Sequence, residues 1–139
     1  MTTIHHVNIT VDDLAAATSF YRDVIGLEPA AAPDLGFPAQ FFTIGNGQEL
    51  HVNELDDVRP KGAHYCLRLD EFAAVVGRAE AAGAIDVNTW GRANRIGTGV
   101  IQLFVRDPSG NLIELNSQPH ERFDDAFYDR PYIDPGCSR

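Results

Sequence analysis

Apolar and polar residues alternate from Thr3 to Val11: Val7, Ile9 and Val11 fall on one side, His6, Asn8 and Thr10 on the other. Period two of this kind marks a strand with one packed face and one face put to other use. The pattern then lengthens. Leu14, Ala17, Tyr21, Val24 and Ile25 recur at helical spacing, Asp12 or Asp13 stands ready to cap the helix, and Gly26 supplies a stop. From Leu27 to Pro38 three prolines and an Ala-Ala-Ala run predict an edge strand entering a loop. Strands are predicted for Gln40 to Ile44 and Gln48 to Leu55, joined by a Gly45-Asn46-Gly47 hairpin. On the returning strand Glu49, His51 and Asn53 face one way. Residues 56 to 62, with Pro60, form a polar connector.

The same plan then starts again. His64 to Leu69 reads as a strand, and a helix capped by Asp70 carries Phe72, Val75, Val76, Ala79 and Ala82 in one stripe ending at Gly83. Ala84 to Thr89 is predicted as a strand and residues 90 to 99 as a loop. Val100 to Arg106 and Asn111 to Ser117 are predicted strands flanking an Asp107-Pro108-Ser109-Gly110 turn. The two halves align residue by residue. His6 to Ala16 matches His64 to Ala74 at an offset of 58, and Gly47 to Asn53 matches Gly110 to Asn116 at an offset of 63. A period near 60 present twice is a duplication, not a solenoid. The expected fold is α+β: two tandem βαβββ modules, residues 1–56 and 62–117, forming one domain with a curved eight-stranded mixed sheet and a metal-binding cleft. Residues 118–139 lie outside the repeat. Phe123, Phe127, Tyr128 and Tyr132 are too many aromatics for a free tail, so packing on the domain or on a partner subunit is expected, with a helical turn near Phe123 and Phe127.

Composition narrows the partners. A chain of 139 residues suits one domain. The formal charge of −9 repels phosphate backbones and anionic lipid, which argues against nucleic acid and membrane surfaces and for a small molecule. No apolar run approaches the ~18 residues of a membrane span. Two cysteines, Cys66 and Cys137, make no disulfide framework, so a cytoplasmic location is expected.

The candidate chemistry lies on the polar strand faces. Alternation puts His6, His51 and His64 there, and Glu114 between Ile113 and Leu115. If the halves pair about a pseudo-twofold axis, His6 approaches His64 and His51 approaches Glu114. Imidazole nitrogen with carboxylate oxygen suits Fe2+, Mn2+, Co2+, Ni2+ or Zn2+ without thiolate. Cys66 shares a face with His64 and reads as a small wall residue. Arg92 and Arg95 are candidates to clamp a substrate carboxylate. Phe41, Trp90 and Phe104 are candidates to line an apolar substrate pocket.

The paired modules, the Phe20-Tyr21 and Gly26-Leu27 positions and the Asp107-Pro108-Ser109-Gly110-Asn111-Leu112-Ile113-Glu114-Leu115 ending resemble the vicinal oxygen chelate superfamily over about residues 3 to 117. That group includes glyoxalase I, methylmalonyl-CoA epimerase, fosfomycin resistance enzymes, extradiol dioxygenases and bleomycin-binding proteins. The resemblance implies that His6, His51, His64 and Glu114 occupy the four metal-ligand positions of the glyoxalase type, with His51 where glutamate is usual. It also implies chelation of a substrate's adjacent oxygens on the metal and, often, a homodimer that builds its cleft across two chains. Phe104 stands where extradiol dioxygenases carry tyrosine, and residues 94 to 102 hold no histidine, which weakens the oxygenase reading. Glu114 is the candidate base, with a metal-bound hydroxide as the alternative. The expectation is therefore a metal-dependent lyase, isomerase or dioxygenase acting on a small oxygen-rich molecule. The alternative is a metal-free binding protein of the bleomycin-resistance type.

Overall fold

A computed structural model describes residues 5–56, 62–97 and 99–139. The polar connector 56–62 falls largely outside them, as do the first two residues of the predicted opening strand and Thr98 of the predicted loop. The fold is mixed α and β, and the chain divides into two compact units.

The first unit runs up to Ala63 and takes in Asp107–Asn111 from the later sequence. Strand β1 (His6–Val11) leads to helix α1 (Leu14–Ser19), capped by the Asp13 carboxylate, which accepts from the Ala16 N–H at 2.9 Å. Asp12 is not the cap: its own N–H donates to Ser109 Oγ. The helix widens into a π-type segment, Phe20–Ile25, and closes on Gly26 at φ 87°. Phe20, Tyr21 and Ile25 of this segment are all buried. Strands β2 (Glu28–Ala30), β3 (Ala39–Thr43) and β4 (Glu49–Glu54) complete a sheet in the order β1-β4-β3-β2, with β1 parallel to β4 and the rest antiparallel. In the hairpin between β3 and β4, Gly45, Asn46 and Gly47 all take positive φ, which the Asn-Gly chemistry permits. Leu50, Val52, Phe42, Val11 and Ala17 are fully buried in this unit.

The turn residue Asp107 is an anchor. Its buried carboxylate accepts from the Tyr21 hydroxyl at 2.9 Å, the Ser109 and Asn111 N–H groups at 3.0 and 2.8 Å, and the Asn111 side-chain amide at 2.8 Å. The same amide group of Asn111 donates to the Thr10 carbonyl of β1 at 2.8 Å.

The second unit comprises His64–Arg106 and Leu112–Arg139. It holds β5 (His64–Arg68), α2 (Phe72–Ala81), the two-residue strands β6 (Ile85–Asp86) and β7 (Asn94–Arg95), β8 (Ile101–Arg106), β9 (Leu112–Asn116) and the single turn α3 (Asp125–Tyr128). The order is β5-β9-β8-β6, with β7 also on β8 and β5 parallel to β9. Helix α2 begins without a side-chain cap, and Asp70 instead accepts from the Gln118 amide at 2.7 Å. The tail belongs to this unit: Phe123 and Phe127 stack at 4.4 Å and both rings lie against Phe72 of α2. No described helix is long and apolar enough to cross a membrane.

One curved eight-stranded sheet is not what the ladders give. Among the described residues nine strands form two mixed sheets, of four and five strands, because hydrogen bonds pair β1 with β4 and β5 with β9 and no ladder links the two groups. The extra strand, β7, arises within the predicted loop.

Asp86 offers a pH-dependent test of the second sheet. Burial raises its carboxyl, but the Thr89 N–H at 2.9 Å and the Arg106 guanidinium at 2.7 Å outweigh burial and hold it below the ordinary carboxylate range. A depressed folded value contributes stability above the unfolded value of about 3.9 and loses it as pH falls through the lower folded one. Arg106→Met is expected to lose about 1–3 kcal/mol at pH 7, with the gap to wild type closing below pH ~4 in urea melts. A gap of constant size from pH 7 to pH 3 contradicts this assignment.

Candidate metal and substrate site

The ladders set each chemical residue in register. In the first unit Asn8, His51 and Phe41 lie side by side across β1, β4 and β3; in the second Cys66, Glu114 and Phe104 do so across β5, β9 and β8. Same-register neighbours share a sheet face, so the chemistry sits on one face of each sheet, alternating with buried Leu50 and Val52 or with buried Ile113 and Leu115.

In the first unit the His51 ring lies between two others. Phe41 stacks on it at 3.6 Å with planes 2° apart, and His6 at 4.2 Å with planes 8° apart. His51 Nε2 stands 2.9 Å from Glu49 Oε2. His5 is exposed, its Nδ1 3.1 Å from that of His6. In the second unit His64 Nε2 lies 3.1 Å from Glu114 Oε2, and the Gln102 amide donates to Glu114 Oε1 at 2.9 Å. The His64 ring meets Phe104 edge-on at 5.3 Å and Trp90 at 6.1 Å. Trp90 remains 58% exposed, whereas Phe41 and Phe104 are buried.

Each unit therefore brings together two of the four expected ligands, His6 with His51 and His64 with Glu114. Among the described residues no group of three or more His, Cys, Asp or Glu side chains gathers as an ion cage. The donors nonetheless suit a metal. His64 Nε2 and Glu114 Oε2 share a proton at 3.1 Å, which is also the separation of two ligand atoms at right angles, each ~2.1 Å from one ion, that would take the place of that proton. Two further acceptors lie on the same faces: Asn53 and Asn116 are buried, two residues beyond His51 and Glu114, and the Oδ1 atom of each has no hydrogen-bond partner among the described residues. Orphaned buried acceptors are uncommon, and a bound ligand is one way to satisfy them.

The arginines have other surroundings. Arg95 donates to the carbonyls of Gly99, Glu121 and Ser138 and to the Tyr128 hydroxyl, so its guanidinium ties the tail to β7. Arg92 lines a groove of about 400 Å³ with tail residues that include Tyr128, Ile133 and Cys137. Cys66 is no poised nucleophile: burial, then the Glu114 carboxylate, pushes its thiol up to about 12, leaving it protonated at neutral pH. Two contributors were given no role from the sequence, Glu49 and Gln102. The alternation placing Glu49 on the face of His51 was the only available signal for the first, and nothing local marked the second.

Relatives supply the remaining context. The chain is 29% identical to the mitochondrial methylmalonyl-CoA epimerase of Mus musculus over 126 residues, covering 81% of this chain and 71% of that protein. It is 31% identical to the metallothiol transferase FosB of Shouchella clausii over 121 residues, covering 82% and 79%. The crystal structure of lactoylglutathione lyase from Agrobacterium tumefaciens superposes with a TM-score of 0.65 at 26% identity, covering 88% of this chain and 98% of that one. The family model described as Glyoxalase/Bleomycin resistance protein/Dioxygenase superfamily matches residues 3–115, and with two mixed sheets carrying His–His and His–Glu pairs on matching positions, the chain belongs to that superfamily.

Proposed function

We propose that this chain is a metal-dependent enzyme whose ion is ligated by His6, His64 and Glu114 with His51 as a fourth ligand, from one chain or from two in a homodimer. Its substrate is a small molecule with adjacent oxygens, and the reaction is of the isomerase type, moving a proton at a carbon beside a carbonyl. The observation that carries this reading is the His64–Glu114 pair at 3.1 Å, a cis-ligand spacing, on the sheet face equivalent to that of His51. Similarity to an epimerase over 81% of the chain favours proton transfer among the superfamily's chemistries.

A divalent ion would hold the two substrate oxygens and polarise the carbonyl, making the neighbouring C–H more acidic. Glu114 takes that proton from one face of the substrate, its other oxygen steadied by Gln102, and releases it to solvent, while a proton delivered from water to the opposite face of the flattened carbon completes the inversion. Asn53 and Asn116 accept hydrogen bonds from N–H or O–H groups of the substrate. Phe41 and Phe104 supply apolar walls, and exposed Trp90 a flat surface beside His64.

Metal analysis of untagged protein, paired with a turnover panel, tests the proposal. The panel comprises an α-branched acyl-CoA thioester followed for loss of chirality, a methylglyoxal–thiol adduct, fosfomycin with thiols, and catechols with oxygen uptake. Stoichiometric transition metal with racemisation of the thioester is the expected result. Metal-free protein that still binds bleomycin-like compounds would establish the sequestering alternative instead.

A further inference from the structure

The two ligands at the repeated position, His51 and Glu114, need opposite things from their neighbours, and each has what it needs. Neutral imidazole carries a proton on one ring nitrogen and a lone pair on the other, and an acceptor beside one nitrogen fixes which is which; a carboxylate is steadied by a donor. Glu49 Oε2 lies 2.9 Å from His51 Nε2, and the Gln102 amide donates to Glu114 Oε1 at 2.9 Å. The repeat sharpens the point. The counterpart of Glu49 beside Glu114 is Leu112, and the counterpart of Gln102 in the first unit is Ala39, neither able to hydrogen-bond through its side chain. The registers agree: His6 faces Glu49 where His64 faces Leu112, and Ala39 faces Asn53 where Gln102 faces Asn116. Glu49 therefore has no hydrogen-bonding counterpart at its repeat position beside Glu114, and Gln102 has none at its repeat position beside His51.

We infer that Glu49 and Gln102 are a matched pair of positioning residues: Glu49 fixes the proton of His51 on Nε2 and so presents Nδ1 to the metal, and Gln102 holds one oxygen of Glu114 so that the other faces it. An ionised carboxylate only accepts hydrogen bonds, so the 2.9 Å contact requires the proton on Nε2, and the neutral ring then has its lone pair on Nδ1. Stacking on Phe41 and His6 fixes the plane of the ring, and the Glu49 contact fixes its rotation within that plane. This rests on the metal-enzyme reading above, and the two fail differently.

The experiment reads both halves. On metal-free protein at pH 8, nitrogen NMR of labelled histidine reports the His51 tautomer: wild type is expected as the Nε2–H form, Glu49→Leu as a mixture of tautomers, and Glu49→Gln, which keeps an acceptor, as wild type. In Ni2+ titration calorimetry Glu49→Leu and Gln102→Ala are each expected to weaken binding about 10–100-fold, with Glu49→Gln restoring most of the loss. Glu49→Leu with an unchanged tautomer, or with a shifted tautomer and unchanged Ni2+ affinity, overturns the role of Glu49. Gln102→Ala with wild-type affinity overturns that of Gln102. Wild-type protein that takes up no ion overturns the metal reading and with it both ligand-presenting roles, while the tautomer measurement still decides whether Glu49 sets the proton of His51.

Discussion

Glu114→Ala is expected to lower turnover by about 10²–10⁴-fold, the usual contribution of a positioned acid–base group, and to deplete the bound metal in the same preparation. The carboxylate is the meeting point of its sheet face, beside His64 at 3.1 Å, bonded by Gln102 at 2.9 Å and directly across from Cys66 in register. On the proposed function, removing it deletes a proton carrier and a ligand together, so the rate and the metal content are expected to fall in step. His64→Ala is expected to lose metal comparably while retaining the base. The fold tolerates the change, because Glu114 stands among buried Ile113 and Leu115, which carry the packing of β9. Cys66 provides an internal control. Its thiol is raised first by burial and then by Glu114, so absorbance titration of thiolate in Glu114→Ala is expected to give a midpoint below the wild-type one. Retained metal and a rate within a few-fold of wild type would remove Glu114 from the chemistry, and with it the proposed reaction.

Asp107→Ala is expected to give the largest loss of stability of any single substitution considered, about 3–5 kcal/mol. Four hydrogen bonds end on its buried carboxylate, two of them holding its own turn, one reaching Tyr21 on the π-type segment and one coming from the Asn111 side chain, which also grips β1. Loss of the acceptor strands the buried Tyr21 hydroxyl and three part-buried donors at once, whereas Tyr21→Phe deletes one donor and is expected to lose about 1–1.5 kcal/mol. Urea denaturation of the two variants measures the difference. Equal midpoints for Asp107→Ala and wild type would show that the turn is held by its backbone alone. Because Asp107–Asn111 belongs with the first unit while β8 and β9 on either side of it belong to the second, this substitution is also expected to expose the first unit to proteolysis ahead of the second.

Much of this molecule could be read from the chain because the relevant physics is local. Period-two alternation alone set His6, His51, His64 and Glu114 on faces apart from Leu50, Val52, Ile113 and Leu115, and strand placement came within one or two residues for most of the predicted strands. Asn-Gly in the first hairpin and the stop at Gly26 followed from side-chain chemistry that needs no distant partner. Where two neighbouring residues offered the same chemistry, as Asp12 and Asp13 did for the cap, only the surrounding contacts chose between them. Tertiary structure decided everything that depends on a partner far along the chain. A turn read as Asp-Pro-Ser-Gly became a buried anchor through Tyr21, 86 residues away. Arg95, a plausible clamp from its loop position, was claimed by tail carbonyls, and a single expected sheet became two because pairing partners are chosen by space and not by sequence order. Alternation already put Glu49 on the face of His51, but Gln102 acquired meaning only when the ladders set β8 beside β9 and its amide met the Glu114 carboxylate. Alternation reports which face a side chain takes; which hydrogen-bonding partner waits on that face is fixed by strand register, and register is a property of the folded chain.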